Sequence, residues 1–183
     1  HGDLATRPAT ARGDAAFLAA LTLALAACYA LGREAPPAYD DSVSVLLNPK
    51  MTRGDLLLEG FLRPLERVPL GVPYPSYVYR PLTELSFAGN LCLTGAGNLP
   101  GLRAGNLLLH LLATWLAFLC VRRLAGDGAS PWLARWAAAF FALHPMAVQA
   151  VTYVYQRSVV LEALLAFATL LLYWRARETR VPW

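Results

Sequence analysis

The chain has 183 residues, of which 57% are hydrophobic and only 15% are charged. A soluble domain usually carries about a quarter charged residues, so this composition argues against a water-soluble globular fold. The 16 basic and 12 acidic residues leave a formal charge of +4. Because the basic residues sort by side of a membrane rather than forming one patch, the sequence predicts no nucleic-acid partner. The expected class is an all-α integral membrane protein in contact with lipid.

The first uncharged stretch covers residues 15–32, between Asp14 and Arg33. Its length is about the minimum for a helix that crosses ~30 Å of hydrocarbon. The hydrophobic core of a signal peptide is the alternative, but such cores are usually shorter, at ~7–15 residues. We therefore predict a first transmembrane helix at 15–32, preceded by a flank at 1–14.

A long polar-to-mixed segment, residues 33–103, follows the first span and is rich in proline and glycine. The prolines prevent any continuous spanning helix, so the segment is predicted to be a large loop outside the hydrocarbon. Within it, 55–65 and 81–93 are short and amphipathic, and Pro81 suits a first helical position. Both are expected to form helices that lie in the plane of the membrane surface.

Three further apolar segments predict a bundle of about four spans. The second span is expected at 104–121, and the short basic stretch 122–131 forms the loop after it. The third span, 132–144, ends before Pro145, because proline disfavours helix at the residue preceding it. A long fourth helix is predicted over 146–174, with an extension beyond the membrane. An alternative places a turn at 156–158 instead.

Lysine and arginine counting predicts the orientation of these spans. With four spans, the arginines of the 1–14 flank, the 122–131 loop and the 175–183 tail fall on one side, which should be cytoplasmic. The 33–103 loop would then lie outside, since loops beyond ~60 residues largely escape the charge rule. The expected localisation is a multi-pass membrane protein with the 33–103 loop outside.

Candidate functional residues gather on the predicted outer face. Ionisable groups at membrane depth are costly if unpaired, so they tend to mark functional sites or paired structural contacts. The set comprises Asp40, Asp41, Arg80, His144, Gln156 and Arg157. All of them can meet at one interface in the predicted topology.

Each candidate has a chemical and a structural interpretation. Asp40 and Asp41 offer carboxylates that could take a proton from a hydroxyl, or they could form a solvated turn or cap a helix. Arg80 and Arg157 could bind a phosphate, whereas snorkelling toward head groups is the alternative for Arg80. His144 could orient a phosphate, ligate a metal or simply end its helix.

Two other features of the sequence have structural interpretations. Asn106 and His110 lie four residues apart on one face of the second span, which favours hydrogen bonds between helices. The three cysteines lack the close spacing of a zinc site. A divalent metal is possible but is not indicated by the sequence.

The order of several short segments resembles a known family. These segments are Tyr39–Ser42 with Asn48-Pro49, Tyr79–Phe87, Asn106–His110, Phe141–Pro145, Gln149–Val154 and Gln156–Ser158. In this order they are similar to the bacterial relatives of the transmembrane and tetratricopeptide-repeat O-mannosyltransferases, which belong to the GT-C class. The likeness extends from Tyr39 to Arg177. One position departs from the pattern, because Val159 stands where an acidic residue is expected.

The resemblance implies a function at the outer face. It implies a sugar such as mannose that is carried on a polyprenyl phosphate and transferred to a hydroxyl of a protein or glycan. It also implies a catalytic acidic residue at Asp40 or Asp41 and outer-face arginines that hold the lipid phosphate. A rival hypothesis, motivated by Val159, is a non-catalytic scaffold that docks other transmembrane subunits.

Overall fold

Every element in residues 6–38, 41–46, 80–95, 97–126 and 128–179, which this computed structural model describes, is helical. In chain order the elements are α1 (Thr6–Ala30), a π-helical turn (Asp41–Leu46), α2 (Pro81–Thr94), α3 (Leu99–Ala125), α4 (Pro131–Leu143), α5 (Ala147–Thr152), a 3-10 turn (Val154–Gln156) and α6 (Arg157–Thr179). The all-α class is therefore confirmed for this part of the chain. Asp40 and the predicted helix at 55–65 lie outside the described residues.

Three of the helices are long and apolar enough to cross a membrane. The candidate spans are Ala11–Ala30, Leu99–Ala125 and Val154–Thr179, and they make the chain a multi-pass membrane protein. The third predicted span, 132–144, corresponds to α4, which has 13 residues. At 1.5 Å per residue α4 extends about 20 Å, short of the ~30 Å of hydrocarbon. The described residues thus contain three helices that are each long enough to span alone, and the expected fourth span stays a prediction.

Local signals in the sequence explain where α3 and α4 begin. The Asn98 side chain accepts a hydrogen bond from the Gly101 N–H at 2.9 Å, and Pro100 occupies an early helical position. Helix α3 therefore starts five residues before the predicted second span. Ser130 caps α4 in the same way, by accepting from the Trp132 N–H, and Pro131 is its first residue. Helix α2 begins at Pro81 as expected, while its placement at the membrane surface stays a prediction.

The expected continuous helix over 146–174 is interrupted at Tyr153, where the backbone is extended (φ −89°, ψ 98°). The interruption frees backbone groups that need other partners. The carbonyl of Thr152 accepts from the Arg103 side chain at 3.0 Å, and the N–H of Tyr155 donates to Asp41 at 3.0 Å. Contacts from distant parts of the chain therefore stabilise this break.

Side-chain contacts define the directions of the spanning helices. Arg157 at the start of α6 contacts Asn106 near the start of α3, so these two helices run parallel. Arg135 near the start of α4 and Arg122 near the end of α3 both pair with Asp14 in the first half of α1. Helices α1 and α4 therefore run antiparallel to α3. We call the end at which α3 and α6 begin the loop end, and the other end the turn end.

The buried core has two parts. Between α1, α3 and α4 it contains a stripe of alanines on α4 that lets the helices approach closely; its members are Leu21, Leu25, Phe118, Ala134, Ala138 and Ala142. The second part lies at the loop end and comprises Val45, Phe87, Leu91, Leu99, Leu102 and Val154. This second cluster fixes the π-helical turn and α2 against the starts of α3 and α6.

Candidate functional site

The candidate site surrounds the 3-10 turn at the loop end. Asp41 is fully buried at the first position of the π-helical turn. Its Oδ1 accepts a hydrogen bond from the N–H of Tyr155 at 3.0 Å. Its Oδ2 is also buried and has no hydrogen-bond partner among the described residues. One oxygen of this carboxylate is thus held in place while the other remains free to accept a proton.

Burial alters the acidity of Asp41. Loss of solvation raises the pKa of its carboxyl above the ordinary value of 3.8. Hydrogen bonds from the backbone of Tyr155 and Val154, and the positive charge of Arg103, act in the opposite direction but do not cancel the effect. A carboxylate with a raised pKa is a stronger base than an exposed aspartate.

Arg80 lies on the other side of the same turn. It precedes Pro81 at the N-cap position of α2 and is half-buried. Its Nη1 donates to the Oγ of Ser158 at 2.7 Å, and its guanidinium carbon lies 5.9 Å from the centre of the Tyr155 ring. Asp41 and Arg80 therefore both lie near Tyr155, Asp41 at its backbone N–H and Arg80 near its ring.

Arg157 is 1% exposed and points away from the turn into the protein. Its guanidinium donates to four oxygens: Asn106 Oδ1 at 2.6 Å, Asn90 Oδ1 at 2.7 Å, the Leu102 carbonyl at 2.8 Å and the Ser86 carbonyl at 3.1 Å. It also lies 4.1 Å from the centre of the Phe87 ring. Arg157 thus ties α2 and α3 to the start of α6, and a lipid phosphate could reach it only by displacing these neutral acceptors.

The other two predicted site residues take local positions. Gln156 ends the 3-10 turn, where its N–H donates to the Tyr153 carbonyl at 3.0 Å. His144 ends α4, and its Nδ1 accepts from the Met146 N–H at 3.2 Å while its ring meets Phe140 edge-on. These contacts agree with the interpretation of His144 as a helix-end residue.

Arg103 is a site residue that sequence reasoning missed. It is buried, and its guanidinium donates to five backbone carbonyls, those of Gly32, Arg33, Ala35, Pro36 and Thr152. It therefore fixes the chain that leaves α1, a few residues before Asp41, against the end of α5. The sequence feature that could have identified Arg103 is the helix start marked by Asn98 and Pro100. This start places Arg103 inside α3 rather than in the loop before it.

The predicted hydrogen bonds of Asn106 and His110 are confirmed. Asn106 donates to the Ala150 carbonyl at 3.4 Å and accepts from Arg157. The Nε2 of His110 lies 3.1 Å from the Ala142 carbonyl, and its ring stacks on Phe141. Both residues thus link α3 to other helices. Within the described ranges, no group of three or more His, Cys, Asp or Glu residues could hold a metal ion.

The fold and site define a multi-pass helical membrane protein with a buried carboxylate and a half-buried arginine at one end of its bundle. Over 148 residues the chain is 34% identical to the protein O-mannosyl-transferase Tmtc2 of Drosophila melanogaster. The matched region covers 79% of this chain and 15% of that protein. The chain is thus a distant relative of a glycosyltransferase and spans a small part of its length. No family profile and no solved structure matches the chain.

Proposed function

We propose that this chain is part of a GT-C-type glycosyltransferase that transfers a sugar from a polyprenyl phosphate to a hydroxyl of a protein or glycan. The proposal places the reaction at the loop end, on the outside of a bacterial cytoplasmic membrane. The similarity to a protein O-mannosyltransferase supports the reaction class and makes mannose the first sugar to test. The observation that carries the proposal is the fully buried carboxylate of Asp41, whose Oδ2 has no hydrogen-bond partner within the described part of the chain.

In the proposed reaction, Asp41 acts as the general base. Its carboxylate takes the proton of the acceptor hydroxyl as the hydroxyl oxygen forms a bond to the anomeric carbon of the sugar. The bond between that carbon and the phosphate oxygen breaks, and the polyprenyl phosphate leaves with the bonding electrons. The hydrogen bond from Tyr155 to Oδ1 orients the carboxylate before the acceptor arrives.

Arg80 is the residue that we propose for binding the donor phosphate. A guanidinium offers donors matched to phosphate oxygens and keeps its charge near lipid. Among the described residues, Arg80 forms a hydrogen bond through one nitrogen, Nη1, to Ser158, and its side chain is half-buried rather than enclosed. Gln156 and His144 are proposed to line the same region. Arg157 is proposed to position α2, and with it Arg80, because its own donors are held by protein oxygens.

The test of the proposed base is an Asp41→Asn variant of the protein expressed from its complete reading frame. The amide keeps an oxygen that can accept from Tyr155 but is not a base, so sugar transfer should fall by about 10²–10⁴-fold. Ser42→Ala is the matched control, because the Ser42 hydroxyl donates to the Ala38 carbonyl one turn away and to no other group in the part of the chain that the structure describes. Wild-type transfer by Asp41→Asn would overturn the assignment, and Asp40→Asn then decides whether the neighbouring carboxylate is the base.

A non-catalytic scaffold is the second candidate function, and one observation favours it. Three large side chains on one side of α4, Trp132, Trp136 and Phe140, are exposed. Such a surface suits docking against other transmembrane helices. Under this alternative the protein purifies with a stoichiometric membrane partner and does not bind polyprenyl-phosphate mannose. Binding of that donor by the purified protein would exclude the alternative.

A further inference from the structure

A shallow, open cavity of about 440 Å³ lies on the surface at the turn end of the bundle, opposite the candidate site. It is formed between the end of α3 and the end of α6, and its lining residues are Leu119, Arg122, Arg123, Gly126 and Glu178. The cavity is polar at its rim because both arginines and the glutamate reach it. Neither the proposed base nor the proposed phosphate ligand takes part in it, so it needs a separate explanation.

The charges around this cavity do not balance among the described residues. Asp14 is shared by two guanidiniums, those of Arg122 at 3.3 Å and Arg135 at 2.8 Å. Arg123 forms an ion pair with Glu178. Three guanidiniums therefore face two carboxylates, which leaves one positive charge. The side chains of Arg122 and Arg123 are 37% and 38% exposed, so both remain accessible to an anion.

An apolar stripe on α3 leads directly to the cavity. Its members are Leu108, Leu112, Trp115 and Leu119, which are 38–59% exposed. Their spacing of four, three and four residues places them on one face of the helix, and Arg122 and Gly126 continue that face. From Leu108 to Leu119 the stripe is about 16 Å long. This is about half of the ~30 Å hydrocarbon core, the depth of one leaflet.

We propose that this surface binds one anionic phospholipid of the leaflet at the turn end. Its phosphate would occupy the cavity beside Arg122 and Arg123, and one acyl chain would lie along the stripe on α3. The one positive charge left unbalanced among the described side chains matches the single negative charge of a phosphodiester. Basic pockets between transmembrane helices are known to hold such head groups. A zwitterionic lipid would fill the stripe equally well but would not neutralise the charge.

The experiment measures how strongly the protein, reconstituted in bilayers, associates with spin-labelled phosphatidylglycerol and with spin-labelled phosphatidylcholine. The wild-type ratio of the two association constants should be about fivefold in favour of phosphatidylglycerol, as expected for one guanidinium at the surface. Arg123→Gln should return the ratio to near one. Glu178→Gln should increase it, because a competing carboxylate is removed.

Arg177→Gln is the matched control. It makes the same change in net charge as Arg123→Gln at the turn end, on α6, but Arg177 donates to the Tyr173 hydroxyl and does not line the cavity. Its ratio should equal that of the wild type. A wild-type ratio of one, or an equal decrease in Arg123→Gln and Arg177→Gln, would overturn the proposal. Displacement of phosphatidylglycerol by inorganic phosphate would also overturn it, since the cavity would then be a site for small anions.

Discussion

The carboxylate of Asp41 and the backbone N–H of Tyr155 are joined by a 3.0 Å hydrogen bond although 114 residues separate them in the chain. This contact holds the segment after α1 against the 3-10 turn that precedes α6. Arg80 binds Ser158 in the first turn of α6, directly after the 3-10 turn. The acidic residue and the arginine of the candidate site are therefore assembled around one interruption in a helix, and several measurable consequences follow from that arrangement.

Transfer activity should depend on pH through Asp41. Because burial raises the pKa of its carboxyl above 3.8, the basic form is lost at a higher pH than for an exposed aspartate. The transfer rate should rise with pH through this pKa and then level off. Arg103→Gln removes a positive charge that lowers the pKa of Asp41, so the acidic limb of the profile should move to higher pH. A pH–rate profile of each protein measures the shift.

The control for this shift is Arg33→Gln, which changes the charge equally at an exposed side chain. Its profile should match the wild type, and equal shifts in both variants would contradict a specific effect of Arg103.

The pH dependence of stability gives a second check on the pKa of Asp41. A raised folded-state pKa means that the folded state binds the proton more tightly than the unfolded chain. This proton therefore adds to the free energy of unfolding at pH values below the pKa that Asp41 has in the unfolded chain. The contribution is lost as the pH rises through the pKa that Asp41 has in the folded protein. Asp41→Asn should lack that loss.

The role of Arg157 can be separated from phosphate binding. Arg157→Gln leaves Asn90, Asn106 and two carbonyls without their charged donor, and each buried acceptor left unpaired costs ~1–3 kcal/mol. Thermal unfolding in detergent should therefore show a marked decrease in stability. Arg157→Lys should recover only part of it, because an ammonium cannot reproduce the planar fork. Arg177→Lys, at an exposed position, should change stability by less than ~0.5 kcal/mol.

A different outcome would support the prediction that Arg157 binds the lipid phosphate. If Arg157→Lys kept the wild-type melting temperature but raised the KM for the lipid-linked sugar, the guanidinium would be contacting the donor. Its four protein acceptors would then be a resting arrangement that the donor displaces. Measuring melting and KM on the same preparations distinguishes the two roles.

Apolar length and helix-boundary residues were enough to predict much of the fold. The stretches at α1, α3 and α6 were found because a spanning helix needs a long uncharged run, and Pro81 and Pro145 predicted the start of α2 and the end of α4. The apolar pattern of α4 predicts a span, but its 13 residues are too few to cross the hydrocarbon alone. Because α3 and α6 run parallel, α4 lies in the segment that returns the chain to the loop end. Asp14 was assigned to a flank, although it is buried within α1.

The candidate site was only partly predictable, for a physical reason. The break at Tyr153 depends on Asp41 and Arg103, which are 112 and 50 residues away in the sequence. Helical periodicity is local and cannot detect such contacts. The charge of Arg157 was correctly identified as unusual, but its acceptors lie on two other helices, so its direction could not be deduced. Residue type indicated which side chains needed partners, and only the packing identified those partners.

The close approach of α2 and α3 predicts opposite effects for two glycines. A Cβ at Gly105 would overlap Asn90 Oδ1 and come within 2.9 Å of Arg157 Nη2. Gly105→Ala should therefore destabilise the protein by ~1–3 kcal/mol through overpacking. Gly89→Ala on α2 is the control, because nothing lies within 4 Å of its added Cβ, and it should stabilise the helix by ~0.5–1 kcal/mol. Denaturation of both variants measures the difference. If Gly105→Ala left the free energy of unfolding unchanged, α2 and α3 would not approach each other this closely.

The ion pairs of Asp14 should contribute to stability at the turn end. Its carboxylate lies between Arg135 at 2.8 Å and Arg122 at 3.3 Å, and the side chains of Asp14 and Arg135 are each 12% exposed. Asp14→Asn leaves two guanidiniums facing each other without a counter-charge, and breaking a buried pair in this way costs ~3–5 kcal/mol.

Glu34→Gln is the matched control, since it breaks an ion pair with Arg33 whose members are 67% and 68% exposed. Exposed pairs of this kind contribute little, so its melting temperature should stay near the wild-type value. If Asp14→Asn and Glu34→Gln melted alike, the junction of α1, α3 and α4 would not depend on this carboxylate.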